Sequence, residues 1–464
     1  MTNRWTKRAR AVQRHFAALN EAIAARLWPV PLIAVTVSVI VGVTLPLLDR
    51  LIDPRLPHWL LNLLFGGGSD AARAVLSTIA GSLITATSLT FSLTVVALQL
   101  ASSQASPRLL RLFASDPMVH ATLATFLSTF AYALMVLRTV DDETNTTVEF
   151  VPRISVTLAT LATLASVVML TLFLAHLARQ LRVETMMRDV HRQSSATISL
   201  MADTQPGEPC PAPKRPQDAR TVMATESGFL TKVDRDGLIR YARKQNLVLR
   251  ERRPVGAGIV AGTPVLEWWP LDPRPAAPDS DDEIAEHLLD EFSLNFERTS
   301  QQDIGFGLRQ LADVASKALS PGVNDPTTAV HAIGHIAALL GDLADSDIRA
   351  DAYADQDGIP RLIPSGDRFE DFVETAVQQI RRYGVSDPQV CAALFGLLDD
   401  VAWRAGTAEQ RVTLDAQLTR LETSIAGADF DDVERARMAE LADGVRDTLA
   451  RLPKPGWRWG RANS

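Results

Sequence analysis

The chain has 464 residues, of which 47% are hydrophobic and 22% charged, and its cysteines are Cys210 and Cys391. This composition excludes an intrinsically disordered chain, and two cysteines exclude a disulfide-stabilised scaffold. The net charge of −7 is divided unevenly, because residues 1–219 hold 19 basic and 14 acidic side chains whereas residues 220–464 hold 28 and 40. The asymmetry predicts a membrane module followed by a soluble one, and it argues against nucleic-acid binding by the acidic part.

The N-terminal segment combines six Lys and Arg residues with apolar residues at helical spacing. Residues 1–27 are therefore predicted to form a basic amphipathic helix on the lipid surface, with a disordered tail as the alternative. Their length and evenly spread charge differ from those of a cleavable signal peptide.

Four long apolar stretches follow, each free of Asp, Glu, Lys and Arg. A helix needs about 20 residues to cross the hydrocarbon of a bilayer, and each stretch reaches that length. A large soluble helical core is the alternative, but buried helices of soluble proteins usually keep some charge. The sequence predicts a four-helix transmembrane domain over residues 28–180, with spans at about 28–48, 74–103, 117–137 and 154–178.

Basic residues near the spans predict the orientation. Twelve Lys and Arg lie in residues 1–27, in the 104–117 loop and just after the fourth span, whereas the 141–150 loop is acidic. Positive charge collects on the cytoplasmic side, so both termini are predicted to be cytoplasmic. The short apolar piece at residues 56–68 predicts an interfacial helix, with a re-entrant segment as the alternative.

The second span carries a stripe of hydroxyl and amide side chains. At about 100° per residue they fall on one side of the helix. Helix packing explains such a stripe, because small hydroxyl residues let helices approach closely. The absence of charge from the middle of every span argues against an ion-coupled carrier and favours passive conduction through a symmetric assembly. The alternative to packing is thus a pore lining that consists of Thr78, Ser82, Thr85, Ser88, Ser92, Gln99 and Ser103.

The cytoplasmic part begins with a predicted helical extension and Pro-rich linker over residues 181–219, in which Cys210 is expected to be a reduced thiol. Residues 220–270 predict strands and one helix joined by glycine turns, and they resemble the β-rich barrel-sandwich fold of biotinyl and lipoyl domains. They lack the modified-lysine tetrads of those domains, so carrier chemistry is not supported. Residues 280–453 predict an all-α domain, and residues 454–464 a tail. The predicted fold class is mainly α.

Four segments resemble a known family. Residues 66–116, 150–159, 226–234 and 297–330, in this order, are similar to the bacterial predicted-membrane-protein family called domain of unknown function 2254. The resemblance implies a multi-pass protein of the bacterial cytoplasmic (inner) membrane, and it implies no particular activity.

The densest polar motif of the cytoplasmic part is SPGVNDPTTAV at residues 320–330. Asp325 and the proline after it have the pattern of a helix N-cap, which accounts for the motif without a ligand. Free N–H groups at a helix start can also bind an anion. The candidate ligand or anion loop consists of Ser320, Gly322, Asn324, Asp325 and Thr327.

Motifs for metal binding and catalysis are weak. His331 and His335 have a zinc-binding spacing, but without a third ligand we interpret them as two neutral histidines on a helix face. No P-loop, dinucleotide fingerprint or nucleophile motif occurs in the sequence. We therefore expect no catalytic residue, no metal and no cofactor, and the sequence does not predict an enzyme.

Two functions stay open at the level of sequence. The first is a channel-like homo-oligomer in the lipid bilayer, which conducts a small ion under the control of a cytoplasmic regulatory domain. The second is a membrane-anchored sensor or scaffold, whose cytoplasmic domains bind a ligand or partner without conduction. The oligomeric state discriminates between them, because a closed ring favours conduction and a dimer or monomer favours anchoring.

Overall fold

The computed structural model divides the chain into two compact units, Met1–Thr185 and Met186–Ser464. The residues that it describes are 28–52, 57, 64–104, 116–140, 150–180, 182–271, 280–346 and 350–451. Five predicted segments lie wholly or for the most part outside the described residues. They are the N-terminal helix (1–27), the interfacial piece (56–68), the loops on either side of the third span (104–117 and 141–150) and the tail (454–464).

Four helices form the described part of the first unit: α1 (Pro29–Ile52), α2 (Ser69–Gln104), α3 (Pro117–Leu137) and α4 (Arg153–Gln180). All four are long and apolar enough to cross a membrane, which confirms the four predicted spans. Most helices extend beyond the apolar stretches because polar residues continue the same turns. Helix α3 begins where its proline predicts, since the Asp116 carboxylate accepts the N–H of Met118 at 2.8 Å and caps the first turn.

Helix α3 is the centre of the first unit. About 61% of its most apolar stretch of 18 residues is buried, against 17% to 28% of the corresponding stretches in the other three helices. Helix α1 approaches α3 closely at Gly42, where an added Cβ would lie 2.7 Å from the Cβ of Met135. The other helices therefore pack around α3 through a core whose most buried members include Leu76, Phe126, Ala133, Val136 and Val156.

The second unit begins with α5 (Val183–Asp203) and continues as an α/β region followed by a helical one. Its strands are β1 (Glu208–Cys210), β2 (Arg220–Met223), β3 (Gly228–Val233), β4 (Leu247–Glu251), β5 (Gly258–Ile259), β6 (Pro264–Pro270), β7 (Phe292–Asn295), β8 (Ala352–Ala354) and β9 (Pro360–Ile363). Its further helices are α6 (Arg235–Gln245), α7 (Asp281–Leu289), α8 (Ile304–Ala318), α9 (Pro326–Asp345), α10 (Phe369–Gly384), α11 (Pro388–Arg404), α12 (Ala408–Ile425) and α13 (Asp432–Ala450).

Two small sheets form in the second unit. The larger has the strand order β1-β8-β9-β4-β6-β2, with β4 and β9 parallel and the other neighbours antiparallel, and the smaller has the order β5-β3-β7. Strands β7, β8 and β9 belong to the stretch predicted to be all-α, so that expectation is wrong at these three places. Segments of three or four residues are too short to show the alternation that identifies a strand. The mainly helical fold class with small sheets is nevertheless confirmed.

Helices α8 to α13 form a bundle with an apolar interior. Leu308 of α8, Leu340 of α9 and Leu394 of α11 are fully buried in it. The sequence pattern Thr407–Gln410 predicts a capping box at the start of α12, and it is present: the Thr407 hydroxyl accepts the N–H of Gln410 at 3.2 Å and the Gln410 side chain accepts the N–H of Thr407 at 3.1 Å. Such caps position several helix N-termini in the second unit.

Candidate functional site

The hydroxyl stripe of α2 lies on the side of the helix that faces away from its own bundle. Thr78, Ser82, Thr85, Ser88, Ser92 and Gln99 are exposed, whereas residues on the opposite side, such as Leu76 and Leu83, are buried in the helix core. An added Cβ at Gly81, within the stripe, would meet no atom within 4 Å. The stripe therefore makes no close helix contact there within the described chain. The side chain of Ser103 lies outside the described residues.

Four hydroxyl groups of the stripe form hydrogen bonds within α2. Thr78, Thr85 and Ser88 donate to the carbonyl oxygens four residues earlier at 2.7, 3.1 and 3.0 Å, and Ser82 donates to that of Ile79 at 3.1 Å. Such local bonds remove the cost of placing a hydroxyl in an apolar surrounding. The stripe is thus compatible with lipid, with water or with a second copy, and its role in conduction stays a prediction.

A buried carboxylate in the first unit was missed by the sequence analysis. Asp49 of α1 is fully buried, and its Oδ2 accepts both the N–H and the hydroxyl of Ser155, at 2.9 and 2.8 Å. Tyr132 of α3 donates to the carbonyl oxygen of Ser155 at 3.2 Å. Asp49 thereby caps the first turn of α4 from another helix. The signal was an acid directly after the first apolar stretch, which the predicted boundary at residue 48 left outside the span.

The predicted ligand loop begins with a largely exposed turn, residues 320–325, between α8 and α9, and its remaining residues form the first turn of α9. The Asp325 carboxylate accepts the N–H and hydroxyl of Thr328 at 3.1 and 2.6 Å, and these bonds lower the pKa of Asp325. Asn324 has a φ of 48°, and Ser320 donates to the carbonyl oxygen of Lys317 at 2.6 Å. Turn and cap thus account for these groups, while Gly322 and Thr327 are exposed beside them. Ligand binding here stays a prediction.

The paired histidines of α9 do not form a metal site with other described residues. The ring of His335 lies 5.1 Å from that of His191 on α5, and burial, together with the nearby His191 and His331, lowers the pKa of His335. No group of three or more His, Cys, Asp or Glu side chains with metal-binding geometry occurs among the described residues. His335 is therefore a helix-packing residue.

The second unit contains a cavity of about 580 Å³. Its wall combines α8, whose first residues are Ile304 and Gly305, with the segment between β9 and α10 and with the start of α12. Apolar, polar and charged side chains all contribute. The charged lining residues include Arg235, Asp303, Asp345, Asp351, Asp367, Arg368 and Glu409, and the apolar ones include Val255, Ile304, Phe369 and Phe372.

One wall of the cavity is held rigidly by a buried ion pair. Arg235, the first residue of α6, forms two hydrogen bonds with Glu251 of β4, at 2.8 and 3.0 Å. The same carboxylate accepts the N–H of Ser365 at 2.9 Å, which attaches the segment before α10 to the larger sheet. A bidentate pair of this kind fixes both partners in one geometry.

The start of α8 places two carboxylates close together. Asp303 caps α8 by accepting the N–H of Phe306 at 3.0 Å, and its other oxygen accepts from Arg298 at 2.8 Å. An added Cβ at Gly305 would lie 3.6 Å from Oδ1 of Asp303 and 3.5 Å from Oδ2 of Asp367. The absence of a side chain at Gly305 therefore leaves open the space between these two carboxylates.

One guanidinium, that of Arg298, acts on the pKa of both carboxylates. Burial raises the pKa of Asp303, and the Arg298 guanidinium opposes that rise. Partial loss of hydration and the neighbouring Asp371 raise the pKa of Asp367, whose side chain is still exposed, again against the effect of Arg298. Perturbed carboxylates in a cavity mark a candidate functional site.

The sequence analysis missed this cavity, because its lining residues lie far apart in the chain, between positions 201 and 410. It did single out the segment 297–330 as a family motif, and the start of that segment supplies Gln302, Asp303 and Gly305 to the wall.

Four helices that can span a membrane, followed by a second unit with its own core and cavity, define a polytopic membrane protein with a large extramembrane part. The family model described as "Predicted membrane protein (DUF2254)" matches residues 24–400, and the chain belongs to this family. The resemblance drawn from the sequence is thereby confirmed.

Relatives in mycobacteria extend this comparison. Uncharacterized proteins of Mycobacterium tuberculosis (strain CDC 1551 / Oshkosh) and Mycobacterium bovis are each 32% identical over 442 residues, which cover 94% of this chain and 82% of the relative. An uncharacterized protein of M. tuberculosis strain H37Rv matches to the same extent. No solved structure matches the chain.

Proposed function

We propose that the protein is a membrane-anchored sensor whose second unit binds a small molecule in the cavity beside α8. The observation that supports this proposal is the cavity of about 580 Å³ with its mixed apolar and charged wall. Small-molecule sites typically occupy about 300–1,000 Å³ and combine an apolar lining with a few placed polar groups. The rigid Arg235–Glu251 pair and the capped start of α8 give the wall a fixed shape, which suits recognition.

The proposal includes the location and the absence of catalysis. The basic residues near the spans support a cytoplasmic position for the second unit in a bacterial inner membrane. Asp303, the most buried carboxylate of the wall, is engaged by Arg298 and by the α8 N-terminus, and this supports a positioning role for it. We therefore propose binding without turnover, with the four helices as the anchor.

The test is a ligand screen on the full chain in lipid nanodiscs, read as the shift in melting temperature with a library of metabolites. Gly305→Ala is the informative variant, because the added Cβ meets its neighbours at ordinary contact distances of 3.5–3.6 Å and yet enters the cavity. Gly396→Ala on α11 is the matched control, since its Cβ would meet no atom within 4 Å. Gly396→Ala is expected to gain about 0.5–1 kcal/mol of stability from the preference of alanine for a helix interior, whereas Gly305 is the second residue of α8, where this preference is weaker.

A compound that shifts the melting temperature of the wild-type protein and of Gly396→Ala, but shifts that of Gly305→Ala at most half as far, supports the proposal. A screen without any such compound contradicts it. Equal shifts in all three proteins place binding elsewhere and also contradict it.

A second candidate function is conduction through a homo-oligomer lined by α2. The observation that favours it is the outward exposure of the hydroxyl stripe, which leaves these groups available to a pore formed by several copies. Planar-bilayer recording on the purified protein is its test, with the oligomeric state measured on the same sample. A dimer or monomer without conductance contradicts it.

A further inference from the structure

We propose that the ligand of this cavity is a small organic cation, with its ammonium or guanidinium group between the carboxylates of Asp303 and Asp367 and its carbon skeleton against Ile304, Phe369 and Phe372. The inference rests on the proposed function, because it names the ligand chemistry of the same cavity. It follows from the charges of the wall, from the geometry around Gly305, and from the size of the space.

The arginines of the wall are already engaged. Arg235 is paired with Glu251 at 2.8 Å and is largely buried with it. Arg368 lies 3.7 Å from Glu370 and 3.8 Å from Glu409. An anionic ligand would have to compete with these carboxylates for both cations. The wall contributes five carboxylates, of which Asp303, Asp345 and Glu409 are paired with arginines, whereas Asp351 and Asp367 form no ion pair with a described residue.

The excess negative charge is concentrated at the start of α8. Arg298 supplies a positive charge there, and its guanidinium pairs with Asp303, with nitrogen–oxygen distances of 2.7 and 2.8 Å. Asp367 is exposed and forms no ion pair with any described residue, although the Arg298 charge acts on it from a longer distance, and Asp371 adds a further negative charge beside it. A second cation between Asp303 and Asp367 would compensate this charge, and charge-assisted hydrogen bonds to carboxylates are among the strongest that a ligand can make.

The surroundings favour an organic cation over a metal ion. Both oxygens of Asp303 already accept hydrogen bonds, from Arg298 and from the N–H of Phe306. Calcium and magnesium ions need about six or more oxygen ligands, and no group of three or more metal-binding side chains occurs among the described residues, whereas an ammonium group has about three donors to satisfy. The cavity also extends over about 580 Å³ and is lined by Val255, Phe369 and Phe372, which can contact a carbon skeleton.

The experiment measures binding to the full chain in nanodiscs by titration calorimetry, with probes that share a skeleton and differ in charge. The cations are 2-phenylethylamine, putrescine and agmatine. The neutral analogues are 2-phenylethanol and 1,4-butanediol, the anions are phenylacetate and succinate, and calcium and magnesium chloride test the metals. We expect at least one cation to bind at least tenfold more tightly than its neutral analogue, and the anions to bind more weakly still.

Asp367→Asn is the informative variant, because it removes the charge and keeps the shape. We expect it to weaken binding of the cation about tenfold, which corresponds to about 1.4 kcal/mol, and to leave binding of the neutral analogue unchanged. Asp415→Asn on α12 is the matched control, since it makes the same change on an exposed surface that does not line the cavity.

Three results overturn the inference. They are tightest binding by an anion or a metal ion, equal binding by a cation and its neutral analogue, and no binding by any of the three cations. If the screen has identified a compound sensitive to Gly305→Ala, the proposed function survives each of these results and only the ligand class fails. If no such compound exists, the sensor proposal itself fails.

Discussion

Single residues of the second unit illustrate a conflict between stability and ligand binding. A carboxylate that serves the fold has its pKa lowered by its partners, as Asp325 does at the cap of α9 and Asp355 does beside Arg361. Asp303 and Asp367 behave in the opposite way, because burial and neighbouring acids raise their pKa. Asp303 also caps α8 and pairs with Arg298, so it serves the fold as well, whereas ionised Asp367 has no such partner among the described residues, and this is the pattern expected of a residue kept for a ligand.

This conflict gives a prediction for Asp367→Asn. Because the pKa of Asp367 is raised in the folded state, its ionisation lowers the free energy of unfolding as the pH rises from the ordinary value of 3.8 through the raised one. Below 3.8 the carboxyl group is protonated in both states, and the effect is absent. Asparagine cannot ionise, so we expect the variant to melt about 1 °C higher at pH 7, a gain of a few tenths of a kcal/mol for a screened group. Calorimetric melting of variant and wild type without ligand measures the difference, which should vanish as the pH falls toward 3.8. A lower melting temperature for the variant at pH 7 would instead identify a structural partner of Asp367.

Among elements, the helix ends of the first unit depend on polar contacts that its apolar pattern does not display. The start of α4 is held by Asp49, whose Oδ2 accepts two hydrogen bonds from Ser155. Asp116 serves the start of α3 and also contacts Nε2 of His176 at 2.6 Å. A buried donor that is left without its acceptor lowers the stability of the fold by about 1–3 kcal/mol. The helix ends are therefore the sensitive points of this bundle.

We predict that Asp49→Ala destabilises the first unit by about 1–3 kcal/mol, because it leaves the N–H and hydroxyl of Ser155 buried without an acceptor. Asp49→Asn keeps one acceptor oxygen and should lose less. Asp70→Ala, on the exposed first turn of α2, is the control for loss of a carboxylate. The measurement is the midpoint of thermal unfolding in one detergent for all three variants. Equal midpoints for Asp49→Ala and Asp70→Ala would show that the Asp49 contact contributes nothing.

Elements could be predicted from sequence where local chemistry decides them. The uncharged stretches gave the four spans, and Thr407 with Gln410 gave the start of α12, because length and capping act within a few residues. Strands β8 and β9 could not be predicted, since Tyr353 and Leu362 become strand residues only by pairing with each other and with β1 and β4. The carboxylates of the cavity were equally hidden: Asp303 and Asp367 are 64 positions apart and meet only in the fold.

The whole molecule raises the question of what covers the stripe of α2, and cysteine accessibility gives the last prediction. The tests replace Ser92, exposed on the stripe, and Leu93, half-buried next to it, by cysteine. Ile33→Cys, on a residue of α1 that is 63% exposed on an apolar helix, is the control for lipid exposure. Cys210 is changed to serine, whereas Cys391 can stay, because burial and Asp387 raise its pKa to about 12 and keep the thiol protonated.

If the stripe lines a hydrated path, we expect Ser92→Cys to react with a charged, membrane-impermeant thiol reagent at least tenfold faster than Leu93→Cys or Ile33→Cys, because only a thiolate in contact with water reacts quickly. Intact proteoliposomes and mass spectrometry measure the rates. If the stripe contacts a second copy, Ser92→Cys instead forms a disulfide-linked dimer under mild oxidation. If Ser92→Cys is as unreactive as Ile33→Cys, the stripe faces lipid, because hydroxyls bonded to their own helix need no aqueous partner. That result would contradict conduction and leave the sensor as the function that the structure supports.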